Sequence, residues 1–281
     1  MIQKILVGLL AFAGLASNAQ NSLLWKISGN GLSAPSYLYG TIHITCDATL
    51  DAATKAAMDN TQQLYLELDM DDESMMTAMM MGMMMKDGNK MSTLASPEDF
   101  AIVDAYLTKT LGSPAKMVDN VKPFMISTMI LPALMDCPLQ SVETELMKIS
   151  KEQNENVYGL ETVEEQLAVF DAIPYKDQMD ELVASIKDDF AADKKQLADM
   201  FRIYAAKDLN AMLDLMDEDD GIMAAHQDEL LTKRNLKWIP KISEISKQKP
   251  TFFGVGAAHL AGENGVIALL RKAGYKVEAV H

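Results

Sequence analysis

Apolar and polar positions fall into two regimes along the chain. Near both ends, short runs of apolar, β-branched and aromatic residues are bounded by Gly, Pro, Asn and Ser, which predicts strands. Leu23–Ser28 and Ser36–His43 flank a turn built from Gly29, Asn30, Gly31 and Pro35, so an N-terminal β-hairpin is expected. Further strands are predicted at Gln63–Leu68, Asn156–Leu160, Pro250–Gly256 and Lys276–Val280. Between them the period changes to that of helices. Asp51–Asn60 reads as a short helix. Ser96 caps another, with Pro97 in its first turn. Thr162 and Glu165 form a capping box opening a third. Leu230–Lys247 is amphipathic, and Glu263–Ala273 reads as the last helix. The helical sections cover approximately 70–155 and 162–247. The fold class is α/β: a central mixed sheet of about five or six strands, opened by the hairpin, with a large inserted helical section.

The first 19 residues depart from this pattern. Met1–Lys4 is a short basic segment, Ile5–Ala16 is apolar, and Ser17, Asn18 and Ala19 precede Gln20. This is the form of a secretory signal peptide, too short for a stable membrane span. No cysteine stands at the cleavage point to carry a lipid. The domain assignment is therefore 1–19 signal peptide and 20–281 a single unit, expected to be exported, periplasmic or secreted. A net charge of −15 argues against nucleic acid or an anionic membrane as partner. The acidic run Asp217–Asp220 before Gly221 fails the spacing of a calcium-binding loop and reads as an exposed turn. An oxidising compartment permits a disulfide between the two cysteines, Cys46 and Cys137. Such a bridge would pin the loop that follows His43.

Ten methionines lie between Met70 and Met91. Three readings are open for this stretch: a loosely packed core helix, an adaptable substrate-contact helix, or a thioether site for Cu(I).

Two Gly-x-x-His motifs carry the main chemical signal. Gly40-Thr41-Ile42-His43 closes one predicted strand and Gly256-Ala257-Ala258-His259 closes another, taking half of the four histidines in the chain. Strand C-termini in an α/β sheet converge on one edge, where ligands bind. Histidine serves there as metal ligand or acid/base group, and the small Gly admits another backbone or a ligand. Glu67 sits conspicuously inside an otherwise apolar strand, and Glu161 ends another. A buried carboxylate is costly unless paired or metal-bound. Two histidines with a glutamate could make an open metal site with room for water. The same trio without metal could do acid/base hydrolysis. Gly254-Val-Gly256-Ala-Ala-His259 mimics a dinucleotide fingerprint, but His replaces the third glycine and the chain ends one strand later.

Together with these motifs, Leu24–Gly31, Pro35–His43, Leu66-Glu67, Lys122-Pro123, Gly159–Thr162 with Glu165-Gln166, Arg234-Asn235 and Gly254–Leu260 resemble the blocks of the TraB/GumN family. That family includes the Tiki proteases and the TraB/PrgY proteins. The resemblance implies a fold related to the erythromycin esterase/ChaN-like group and a metalloprotease-type site. It implies His43, Glu67 and His259 as ligands of a divalent metal (Mn, Co or Zn), with Glu67 or Glu161 as catalytic carboxylate. Arg234 or Asn235 would help bind substrate or stabilise an oxyanion. Peptide or protein substrates follow. The alternatives are a non-catalytic binder of peptide, metal or haem, and a metal-independent esterase. Unlike the Tiki pattern, this chain has a Met-rich segment and lacks a membrane anchor.

Export makes a direct prediction. N-terminal sequencing of the protein recovered from outside the cytoplasm should begin at Gln20. An intact Met1 there would refute the signal peptide.

Overall fold

The computed structural model describes residues 21–217 and 222–281. The expected signal peptide and most of the acidic run, Glu218–Asp220, lie outside the described residues. Six strands form one mixed sheet: β1 (Leu24–Ser28), β2 (Ser36–Thr41), β3 (Leu64–Leu66), β4 (Val157–Gly159), β5 (Phe252–Gly256) and β6 (Lys276–Val280). Their spatial order is β4-β3-β5-β2-β1-β6. β1 runs antiparallel to both β2 and β6, while β2, β3, β4 and β5 run parallel to one another. The predicted hairpin is therefore β1–β2, and the last strand of the chain closes the edge beside the first.

Several strands are shorter than the apolar runs suggest. β2 stops at Thr41, so Ile42 and His43 leave the sheet. β3 pairs over Leu64–Leu66 alone, which puts Glu67 just past its end. The helix expected from Glu263 begins at Val266. Gly262 takes a left-handed φ of 77°, and Gly265 caps the helix in an extended conformation. Ser96, Thr162 and Ser141 each accept a hydrogen bond from the backbone three residues on, fixing the starts of Pro97–Leu111, Val163–Val169 and Val142–Glu152. These caps satisfy amides that would otherwise lack a partner.

Two apolar clusters form. The first joins the sheet to its flanking helices: Ile27, Leu38, Leu64, Phe252 and Phe253 pack with Leu146, Trp238 and Leu270. The second lies in the inserted helices and gathers Met91, Val103, Leu107, Ile126, Met179 and Phe190. Buried Lys122 pins that second cluster. Its ammonium donates to Leu167 O at 2.9 Å and pairs with Asp171 at 2.7 Å. Asp171 also holds Lys86 and the Tyr175 hydroxyl, which ties the end of the Met-rich segment to the helices after it.

The Met-rich stretch contains the helix Met75–Gly82, none of whose residues is buried. Met75, Ala78 and Met79 rest against the second cluster, while Met76, Met80 and Met81 are exposed on the other side of the helix; Met84, past the helix end, bridges to Val121. It is a surface helix with one flank against the core, while Met85 and Met91 beyond it are buried in the second cluster. Among the described residues no helix is long and apolar enough to cross a membrane.

Cys46 and Cys137 form a disulfide. Beside it, Thr45 and Gln140 exchange backbone hydrogen bonds at 2.9 and 3.0 Å. The loop after His43 is thereby fastened to the segment that leads into Val142–Glu152. The bridge closes a sequence separation of 91 residues, and a loop of that length should contribute about 3–5 kcal/mol by restricting the unfolded chain. Urea unfolding with and without reductant should show a loss of that size. Equal midpoints would remove the disulfide from the stability of the fold.

Candidate active site

Because β2, β3, β4 and β5 are parallel, their C-terminal ends lie on one edge of the sheet. The chain leaves that edge at His43, Glu67, Glu161 and His259, one from each strand. β5 sits between β3 and β2, so the exits carrying Glu67 and His259 are neighbours. The two motif glycines make the approach possible. A Cβ on Gly40 would lie 3.1 Å from Ala257 Cα, and one on Gly256 would lie 3.2 Å from Glu67 Oε1. Both contacts are tighter than a side chain tolerates comfortably. Glu67 Oε1 instead accepts the Gly256 N–H at 2.7 Å.

Arg234 stands at the centre. It follows a π-helical turn, Asp228–Thr232, and opens the helix Lys233–Gln248. Its Nη2 reaches Glu67 Oε2 at 2.5 Å and Glu161 Oε1 at 2.6 Å, and its Nε lies 3.1 and 3.2 Å from the two Glu161 oxygens. Nη1 donates to Leu230 O and meets His259 Nε2, both at 3.0 Å. The guanidinium also lies over the Trp238 ring, 4.9 Å from its centroid. Gln166 donates to both carboxylates, at 3.0 Å to Glu67 and 3.1 Å to Glu161. Two buried anions are thus matched by one cation and a shared amide, which is how such a pair avoids a large desolvation cost.

His259 is buried, with its ring against Trp238 at 4.6 Å between centroids. The Asn235 amide fixes its tautomer. Asn235 Nδ2 donates to the carbonyls of His259 and Asn264 at 3.3 and 2.9 Å, so its Oδ1, 2.7 Å from His259 Nδ1, is an acceptor. The imidazole proton therefore sits on Nδ1, and the Nε2 lone pair faces Arg234, with Glu67 Oε1 at 3.8 Å. Burial, with Arg234 and His43 against Glu67, lowers the His259 pKa to about 3. It is a neutral base at physiological pH. Burial opposes charge on Glu67, but His259, Arg234, His43 and the Gly256 amide bring its pKa down to about 2. Since His259 is neutral near pH 7, Arg234, protonated His43 and the amide carry that stabilisation there.

His43 lies apart from this knot. Its side chain is 64% exposed, but Nδ1 turns inward to buried Glu143 at 2.7 Å. Glu143 is held in turn by the Ser141 hydroxyl at 2.7 Å. The surroundings of the ring resist a charge, but the hydrogen bond and charge of Glu143, with Glu67 behind it, raise the pKa of His43 to about 9. Burial works against the Glu143 carboxylate too, yet His43 holds it below the usual range. His43 is close enough to act on the charge of Glu67 and His259, but it touches neither.

Every residue expected from the sequence therefore reaches this edge, and Glu67, Glu161, Arg234, Asn235 and His259 meet directly. The expected ligand trio is not closed. Among the described residues no three His, Cys, Asp or Glu side chains group to hold a metal, because Arg234 lies among the donors and His43 is drawn to Glu143. Asn235 has both amide hydrogens engaged by carbonyls, so it orients His259 rather than facing an oxyanion. Glu143, Gln166 and Trp238 are missing from the residues singled out above. Glu143 in sequence is an ordinary acidic residue in a first helical turn, and nothing local marks it. Gln166 gave a signal only as part of a family block.

The arrangement defines a class: a mixed-sheet α/β protein whose parallel strands deliver histidines and carboxylates to their C-terminal edge, where a helix adds an arginine. The model of the TraB/PrgY/gumN family matches residues 23–279, and the chain belongs to that family. It is similar to "Metalloprotease TIKI1" of Danio rerio, 22% identical over 92% of this chain and 63% of that protein. The same identity and coverage of this chain hold for "Metalloprotease TIKI2" of Danio rerio, over 61% of that protein, and for "Metalloprotease TIKI homolog" of Nematostella vectensis, over 67%. The chain thus spans about three-fifths of the length of the first two. No solved structure gives a significant match.

The His43–Glu143 pair carries a pH prediction. A histidine pKa raised from about 6.5 to about 9 contributes stability that is fully present below pH 6.5 and is lost as pH rises through 9. Glu143→Gln should return the His43 titration, followed by NMR, toward 6.5 and remove that alkaline loss. A wild-type midpoint near 6.5 would show that the pair does not form.

Proposed function

We propose that the chain is an exported metal-dependent hydrolase, a Tiki-like metallopeptidase acting on peptide or protein substrates. The carrying observation is that both motif histidines are tied down through Nδ1, His43 by Glu143 and His259 by Asn235. That leaves each ring with Nε2 to offer. Ligating histidines are oriented this way by a partner on the other nitrogen. The donor chemistry fits a divalent ion: two imidazoles and the ionised Glu67, a set suited to Zn, Co or Mn. In this reading His43, Glu67 and His259 hold the ion. Bound there, it would polarise the scissile carbonyl and acidify a water.

The chain's own residues supply the rest. Glu161 Oε2, held by the longer Arg234 Nε contact at 3.2 Å, is the acceptor for the proton of the attacking water. Arg234 faces the negative charge that develops on the carbonyl oxygen. Asn235 and Gln166 position His259 and the carboxylates. A groove of about 480 Å³ runs from Glu161 past Tyr65 and Tyr158 to Met75 and Ala78. An extended peptide would lie there, against the flank of the Met-rich helix. The disulfide is compatible with an exported protein.

The test is a peptide-library digest by the chain from Gln20 onward, loaded with manganese, cobalt or zinc, alongside metal analysis. His43→Ala and His259→Ala should each lose bound metal and reduce turnover at least about 100-fold, with circular dichroism unchanged. Loss of metal with undiminished hydrolysis would defeat the mechanism. Turnover that resists chelation would favour the metal-independent esterase reading, which the Arg234–His259 contact also suits. Stoichiometric capture of peptide or haem without turnover would identify a binding protein.

A further inference from the structure

The atoms that the metal reading needs are already directed at a cation. His259 Nε2, Glu67 Oε2 and Glu161 Oε1 all meet the guanidinium of Arg234, at 3.0, 2.5 and 2.6 Å. The tautomer set by Asn235 makes the first of these a lone pair receiving an N–H. That same lone pair is the one a metal ion would take. One nitrogen cannot serve both at once. The guanidinium also has somewhere else to bond: Glu161, Leu230 O and the Trp238 face remain as partners if the His259 contact is given up. The π-helical turn just before Arg234 is a backbone form common at functional sites.

We propose that Arg234 is a tethered cation that competes with the metal for His259 Nε2 and Glu67, so that metal enters by displacing the guanidinium rather than by joining it. This rests on the metal reading above. It makes Arg234 a residue that sets metal affinity, beyond any part it takes with substrate. Until metal enters, it offsets part of the charge of the two buried carboxylates.

Charge and displacement can be separated. Arg234→Lys keeps the positive charge but loses the fork that spans His259 and both carboxylates. Zn²⁺ is the probe, because it is redox-inert and does not quench fluorescence, and binding is read by calorimetry. Relative to wild type, Arg234→Lys should bind Zn²⁺ about tenfold more tightly or better, the factor expected from removing one charge-assisted hydrogen bond. A second readout uses Trp238. In a Trp25→Phe background Trp238 is the sole tryptophan, and Zn²⁺ should change its emission as the guanidinium shifts above the ring. His259→Ala should abolish the Zn²⁺-dependent change.

Stoichiometric wild-type binding with equal or weaker binding by Arg234→Lys would overturn the competition and leave the metal reading standing. No Zn²⁺ binding by either protein would overturn both. Binding by Arg234→Lys but not by wild type would support the competition in its strongest form. If Arg234→Lys does not fold, the Trp238 titration of the otherwise unaltered chain decides alone, and an emission unchanged at saturating Zn²⁺ would count against displacement.

Discussion

The site depends on the bond between Arg234 and the two glutamates at the sheet edge. Glu67 and Glu161 leave adjacent parallel strands and are both buried. Without a cation, two carboxylates there would repel each other and lack solvation. Removing the partner of a buried charge typically costs about 3–5 kcal/mol. Arg234 supplies the charge and, with Gln166, nearly all the hydrogen bonds. A helix Lys233–Gln248 that packs against the sheet is therefore also the element that makes the edge electrostatically tolerable. Its Trp238 lies under both the guanidinium and the His259 ring, so packing and charge balance are set by one turn of helix.

From that bond the two histidines acquire opposite characters. His259 is buried beside a fixed cation and is neutral, oriented by an amide that has no other freedom. His43 reaches solvent, leans on a buried carboxylate and is held protonated. Ligation would require that proton to leave. Matched motifs in sequence thus produce unmatched groups in space, because burial and neighbours rather than residue type set a pKa.

The inserted helices have a core of their own, separate from that under the sheet, and two covalent or ionic pins connect them to the edge. The disulfide fastens the His43 loop to the entry of the Glu143 helix. Asp171, which Lys122 and Lys86 share, fastens the end of the Met-rich segment to the helices that follow Glu161. Met75 and Ala78 line a groove that reaches Glu161, and Met76, Met80 and Met81 are left exposed on the same helix. Flexible thioethers can adapt there to different partners.

Much of this was legible in the sequence. The strand runs, the capping residues, and the placing of His43, Glu161 and His259 at strand ends all follow from local pattern, since period, turn chemistry and caps act over a few residues; the disulfide follows instead from there being two cysteines and an expected oxidising compartment. A parallel sheet then brings strand ends to one edge, whatever the details. The sequence could not say that β5 would lie between β3 and β2, which is what makes Glu67 and His259 neighbours. Nor could it say that Arg234 would enter between donors expected to share a metal, or that Glu143, 100 positions away, would claim the proton-bearing face of His43. It left Arg234 or Asn235 to bind substrate or stabilise an oxyanion, and in the fold the Asn235 amide holds Nδ1 of His259. Those outcomes depend on which groups are buried together, and burial is a property of the packed chain, so residue types proposed the chemistry while tertiary contacts decided charge, tautomer and partner.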